Sequence, residues 1–168
     1  MIFLTVGTQF PFDRLVRAVD EALDRNGFAE EIFAQIGDSV YKPRNFQAVA
    51  SLDKHQFDES FRRASGIIGH AGMGTICMAL EMNKPLLVLP RKKRFGEVVN
   101  DHQVAIARKF EQLGHVLAAY EPAEIAGKIK LLKTFVPCPR QACPDAVARY
   151  IAEYLDKLAA KGRGRDRS

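Results

Sequence analysis

Cysteine is scarce in this 168-residue chain. Cys77, Cys138 and Cys143 are its three cysteines, an odd number with no CxxC and no histidine at ligand spacing. That argues for a reducing compartment and against a zinc site. Cys77 lies in an apolar segment and reads as a small core residue. Cys138 and Cys143 flank a proline-rich turn, where a functional thiol is the less expected reading. Long apolar runs are also missing: none approaches the roughly 20 residues of a transmembrane helix. The opening MIFLTVGTQF has neither a basic flank nor a cleavage site, so it reads as a strand rather than a signal peptide, and a cytoplasmic location is expected. Charge of one sign is short as well. The net charge is +5, but the final KGRGRDRS carries four Lys/Arg and one Asp, or +3, leaving +2 for the body. That is too little for a nucleic-acid surface. The basic tail is either a solvated end or a contact for anionic lipid headgroups.

What the chain does have is an alternation of short apolar runs and amphipathic segments. Ile2–Val6, 31–36, Ala48–Leu52, Gly66–His70, Pro85–Leu89 and 115–120 read as strands. Helices are expected over Phe10–Arg25, from an N-cap at Asp53 to Ala64, Thr75–Met82, Asn100–Leu113, from Pro122 to Lys133, and Asp145–Ala160. Unbroken Ile/Val/Leu strands separated by helices imply a parallel sheet covered on both faces. Right-handed crossovers make it an α/β, doubly wound, Rossmann-like single domain of about six strands. Residues 1–160 form that domain and residues 161–168 the tail. A ligand is then expected at the carboxyl ends of the strands, near the switch point. Two loops there have suitable chemistry: Gly7-Thr8-Gln9 after strand one, and GHAGMGT (69–75) after strand four.

In GHAGMGT, Gly72 and Gly74 let backbone approach an anion without Cβ clashes, Thr75 can cap the helix or donate its hydroxyl, and His70 can donate an N–H. The same glycines could merely make a tight strand–helix turn. A dinucleotide fingerprint needs G-x-G-x-x-G in the first βα turn, where this chain has GTQFPF, and no G-x-x-x-x-G-K-[ST] occurs. A second cluster, Asn100-Asp101-His102-Gln103, opens the helix after strand five. These residues can be helix caps, or they can read adjacent sugar hydroxyls. An anion cradle beside a hydroxyl-reading pair suggests a nucleotide-sugar.

The segments VGTQFPFDRL (6–15), GHAGMGT (69–75), KPLLVLPR (84–91) and NDHQVAIA (100–107), in that order, resemble the small single-domain glycosyltransferases of the family 28 C-terminal-domain type. That group is related to the catalytic subunit of the dolichol-linked N-acetylglucosamine transferase and includes bacterial exopolysaccharide and capsule subunits. The resemblance implies the C-terminal, donor-binding half of a GT-B enzyme. It places the donor diphosphate on Gly7, Thr8, Gln9, His70, Gly72, Met73, Gly74 and Thr75, and the donor sugar on Asp101, His102 and Gln103. It also puts a nucleoside contact near Leu52, in Ser51–Leu52–Asp53. Many relatives carry a ribose-binding Glu eight residues after the motif histidine; here Met78 stands there, and Glu81, a turn later, reads as a solvated helix residue.

The resemblance further implies an inverting transfer from a UDP-sugar without a metal or other cofactor. Arg91, within RKKR (91–94), is a possible phosphate contact, or that stretch is a solvated loop. The general base and the lipid-linked saccharide acceptor are expected from a membrane-anchored partner subunit. Ile151, Tyr154, Leu155 and Leu158 would pack on that partner or on the chain's own sheet. Two other classes stay open: a non-catalytic nucleotide-sugar-binding module, and an unrelated Rossmann-like oxidoreductase.

Overall fold

The computed structural model describes residues 1–26, 30–139 and 152. Six strands form one parallel sheet in the order β3-β2-β1-β4-β5-β6. They are β1 (Ile2–Thr5), β2 (Ile32–Gln35), β3 (Gln47–Val49), β4 (Gly66–Gly69), β5 (Leu86–Val88) and β6 (Leu117–Ala118). The order reverses between β1 and β4, which pair in register from Ile2 with Gly66 to Thr5 with Gly69. This is the doubly wound α/β fold expected from the strand pattern.

Because strand side chains alternate, each strand feeds two cores. Ile2, Leu4, Ile68, Leu87 and Leu89 meet helices α1 (Asp13–Asn26) and α5 (Ile125–Leu132) on one face. Phe3, Ile67, Leu86 and Val88 meet α2 (Lys54–Arg63), α3 (Met73–Glu81) and α4 (His102–Gln112) on the other. Phe3 is fully buried there against the rings of Phe33, Phe57 and Phe61. No helix among the described residues is long and apolar enough to cross a membrane.

Several boundaries differ from the sequence reading, each for a local reason. Helix α1 starts at Asp13 rather than Phe10, because a residue before proline is held extended and Pro11 follows Phe10. The N-cap at Asp53 is present as a full capping box with Gln56. Helix α3 begins two residues before Thr75, with Gly72 as its N-cap, so Thr75 lies inside the first turn and is not the cap. Helix α4 begins at His102, since the side chains of Asn100 and Asp101 accept backbone N–H groups from His102 and Lys93 instead of extending the helix. Cys77 is half-buried rather than a core residue, and Cys138 is exposed. Apart from Ala152, the expected last helix (145–160), with Ile151, Tyr154, Leu155 and Leu158, lies outside the described residues, as do the tail and Cys143.

Candidate functional site

At the switch point the loops after β1 and β4 diverge, and a cavity of about 590 Å³ opens between them. Gly7, Thr8 and Gln9 line one side; His70, Gly72, Met73, Gly74 and Thr75 line the other. Gln103, His102 and Arg91 complete the lining from the segment after β5. The glycine loop and the His-Gln pair, 30 residues apart in the chain, therefore share one pocket. Among the described residues, neither Asp nor Glu lines it.

His70 directly follows β4, and its ring lies between two glycines. A Cβ on Gly72 would overlap Nε2 of His70, and one on Gly7 would come within 2.8 Å of Cε1. Gly7 also sits at φ +77°, where a side chain is strained. These glycines thus make room for an imidazole as well as for an approaching anion. Burial first, and the positive charge of Arg91 second, push the His70 pKa down from 6.5 to about 4. At neutral pH the ring is therefore uncharged. Its Nδ1 is buried without a hydrogen-bond partner among the described residues. Beside it, Gly72 brings no capping side chain to α3. The first-turn N–H groups of Met73, Gly74 and Thr75, with the positive end of the helix dipole, are left for an anion.

Across the cavity, Gln103 is buried and its Oε1 accepts the Arg91 backbone N–H at 3.1 Å. Its amide NH₂ is left to donate to a ligand hydroxyl. His102 is oriented by Asn100, whose Oδ1 meets both its ring Nδ1 and its backbone N–H.

Three of the expected site residues have side chains engaged within the protein. Asp101 does not line the cavity: its carboxylate accepts the Lys93 N–H at 2.7 Å, facing a separate groove with Lys92, Arg94 and Arg108. Leu52 is partly buried against the core on the α2–α4 face of the sheet and does not line the cavity. Arg91 does line it, but its guanidinium N–H groups donate to the carbonyls of Val6, Phe10, Pro11 and Glu97, not outward to a phosphate. Met78 is half-buried against the core, and Glu81 is exposed.

A buried polar set behind the first loop escaped the sequence reading. Thr5 donates its hydroxyl to Gln35 Oε1 at 2.7 Å and accepts the Gly7 N–H at 3.2 Å. Gln35 Nε2 in turn donates to the carbonyls of Gly7 and Ala50. The available signal was polar Thr5 and Gln35 ending the otherwise apolar strands IFLT and IFAQ. Among the described residues no group of three or more His, Cys, Asp or Glu could hold a metal ion.

The family model described as the glycosyltransferase family 28 C-terminal domain matches residues 1–142. The chain belongs to this family. Curated relatives include the UDP-N-acetylglucosamine transferase subunit ALG13 of Homo sapiens, 30% identical over 125 residues, or 68% of this chain and 10% of the relative. The protein of that name from Eremothecium gossypii is 28% identical across 94% of this chain and 92% of its own. The chain thus spans about a tenth of the human relative and nearly all of the fungal one. A solution structure of ALG13 superposes with a TM-score of 0.58 at 21% identity, covering 86% of this chain and 91% of that one. The crystal structure of Acinetobacter baumannii MurG superposes with a TM-score of 0.60 at 18% identity, covering 80% and 42%. At these identities the structures show the shared fold, that of GT-B glycosyltransferase C-terminal domains.

Proposed function

We propose that this family 28 chain is the donor-binding, catalytic subunit of a two-component inverting glycosyltransferase. It transfers a hexose or hexuronic acid from a UDP-sugar to a polyprenyl-diphosphate-linked saccharide in exopolysaccharide or capsule synthesis, at the inner face of the membrane. The observation that carries the reading is His70, clamped between Gly7 and Gly72 at the start of α3 and sharing one cavity with Gln103. The N–H groups of α3 and the Thr75 hydroxyl face the donor diphosphate, and His70 donates a single neutral N–H to it. Gln103 and His102 take the sugar. The acceptor hydroxyl attacks the anomeric carbon as the bond to the diphosphate breaks. Charge then grows on the leaving UDP, where fixed dipoles stabilise it most. The attacking hydroxyl must lose its proton. With no carboxylate lining the cavity among the described residues, that base is assigned to a membrane-anchored partner subunit that also presents the lipid-linked acceptor. The names of the ALG13 relatives, each a transferase subunit, support a divided enzyme.

The test is calorimetry of the purified chain with UDP, UDP-glucose, UDP-N-acetylglucosamine and UDP-glucuronic acid. Binding is expected for UDP and for at least one sugar, and lost in His70→Ala. Unchanged affinity in that variant would overturn the site. Consumption of the bound UDP-sugar only when the partner is co-expressed separates catalysis from mere binding.

A further inference from the structure

Among the described residues, Arg91 is the only cation buried as deeply as 2% exposure. A buried charge ordinarily needs a carboxylate. The nearest one, Glu97, is committed elsewhere: both its oxygens take Arg14 at 2.8 Å, and one accepts the Lys92 N–H. The two terminal nitrogens of the Arg91 guanidinium are instead solvated by backbone, while Nε is buried with no hydrogen-bond partner among the described residues. Nη2 donates to Val6 O and Phe10 O at 2.6 Å each, and Nη1 to Pro11 O at 3.1 Å. A longer bond of 3.5 Å reaches Glu97 O. The guanidinium also stacks 4.8 Å from the Phe12 ring centroid. Val6 and Phe10 bracket the Gly7-Thr8-Gln9 turn, so the fork grips it at both ends. The same residue's backbone N–H holds Gln103.

We propose that Arg91 is a positioning residue, which through these carbonyls and its own N–H sets the Gly7–Gln9 turn and Gln103 at the one spacing that grips both ends of a nucleotide-sugar. The inference rests on the reading of the cavity as a donor site. The planar fork holds Nη2 between Val6 O and Phe10 O while Nη1, fixed in the same plane, reaches Pro11 O. A lysine keeps the charge but concentrates its donors on one atom. Because no carboxylate neutralises it directly, the charge also projects into the cavity, where it adds to the burial that keeps His70 uncharged.

Arg91→Lys and Arg91→Met separate the two contributions. In Arg91→Lys, UDP affinity is expected to fall tenfold or more, the backbone amide resonances of Gly7, Thr8 and Gln9 and the side-chain amide of Gln103 to move, and His70 to stay depressed. In Arg91→Met the same losses are expected and His70 titrates at higher pH. Wild-type UDP affinity in Arg91→Lys, or a loss of affinity with those resonances unmoved, overturns the proposal. If the variants do not fold, ¹⁵N-arginine NMR of the wild-type chain decides it. Separate, slowly exchanging Nη–H signals are expected for a locked guanidinium, and one averaged signal overturns the proposal. Failure of the wild type to bind UDP counts against the donor-site reading alone, while the guanidinium signals still decide whether Arg91 grips the turn.

Discussion

Acid should unfold this protein partly through His70, and the size of that effect follows from its surroundings. The ring is enclosed by Gly7 and Gly72, and burial with the Arg91 charge lowers its pKa from 6.5 to about 4. The folded pKa lies below the unfolded one, so between those values the unfolded chain binds the proton first. Stability is therefore fully present above about pH 6.5 and is lost as pH falls toward 4. A shift of that size corresponds to at most about 3 kcal/mol, and to about 2 kcal/mol if water partly reaches the ring. Urea unfolding at about pH 7 and about pH 5 measures it, with His70→Gln as the reference that cannot titrate. The wild type should lose more stability than His70→Gln over that interval, by about 1.5–2 kcal/mol. Parallel pH dependence in the two proteins would refute the reasoning. Saturating UDP should shrink the difference, since an anion beside the ring raises its pKa.

Further outcomes follow from single contacts. Gly72→Ala puts a methyl group onto Nε2 of His70, so the ring must move; UDP affinity should fall at least tenfold by calorimetry, and stability by about 1–3 kcal/mol. Gln103→Ala should abolish the preference for UDP-sugar over UDP, and the Arg91 N–H left without its acceptor should lower stability by about 1–2 kcal/mol in urea titrations. Gln35→Leu leaves the Thr5 hydroxyl without its acceptor and the Gly7 carbonyl without the Gln35 amide, while the Ala50 carbonyl keeps the Gly37 N–H, with an expected thermal destabilisation of about 1–3 kcal/mol. Asp101→Asn should leave UDP-sugar affinity within about twofold, because its side chain faces the Lys93 N–H and not the cavity.

Much of the architecture was legible in the chain because it depends on local rules. Apolar strands such as IFLT and GIIG, crossed over by helices, permit little besides a doubly wound parallel sheet. That sheet brings the loops after its first and fourth strands together at the switch point. The motif around His70 and the pair His102-Gln103 were therefore recognisable before any coordinates. Side-chain direction was not. Asp101 and Gln103 are two residues apart on one helix start, and only packing turns one inward and the other toward Lys93. Of the two roles open to Thr75, capping falls to Gly72, which leaves its hydroxyl as a donor.

The sequence by itself therefore determined the fold, the two loops that meet at the switch point and the glycine-framed histidine, since strand period, turn chemistry and helix ends are encoded within a few residues. Tertiary structure alone decided what Arg91 does. Its acceptors Pro11, Phe10 and Val6 lie 80, 81 and 85 residues away in the chain, and no local pattern records such a bond. A cation in RKKR looks like a phosphate contact until burial removes it from solvent. Then its hydrogen bonds must be made inside the protein, and the carbonyls of the first loop are what the fold places within reach.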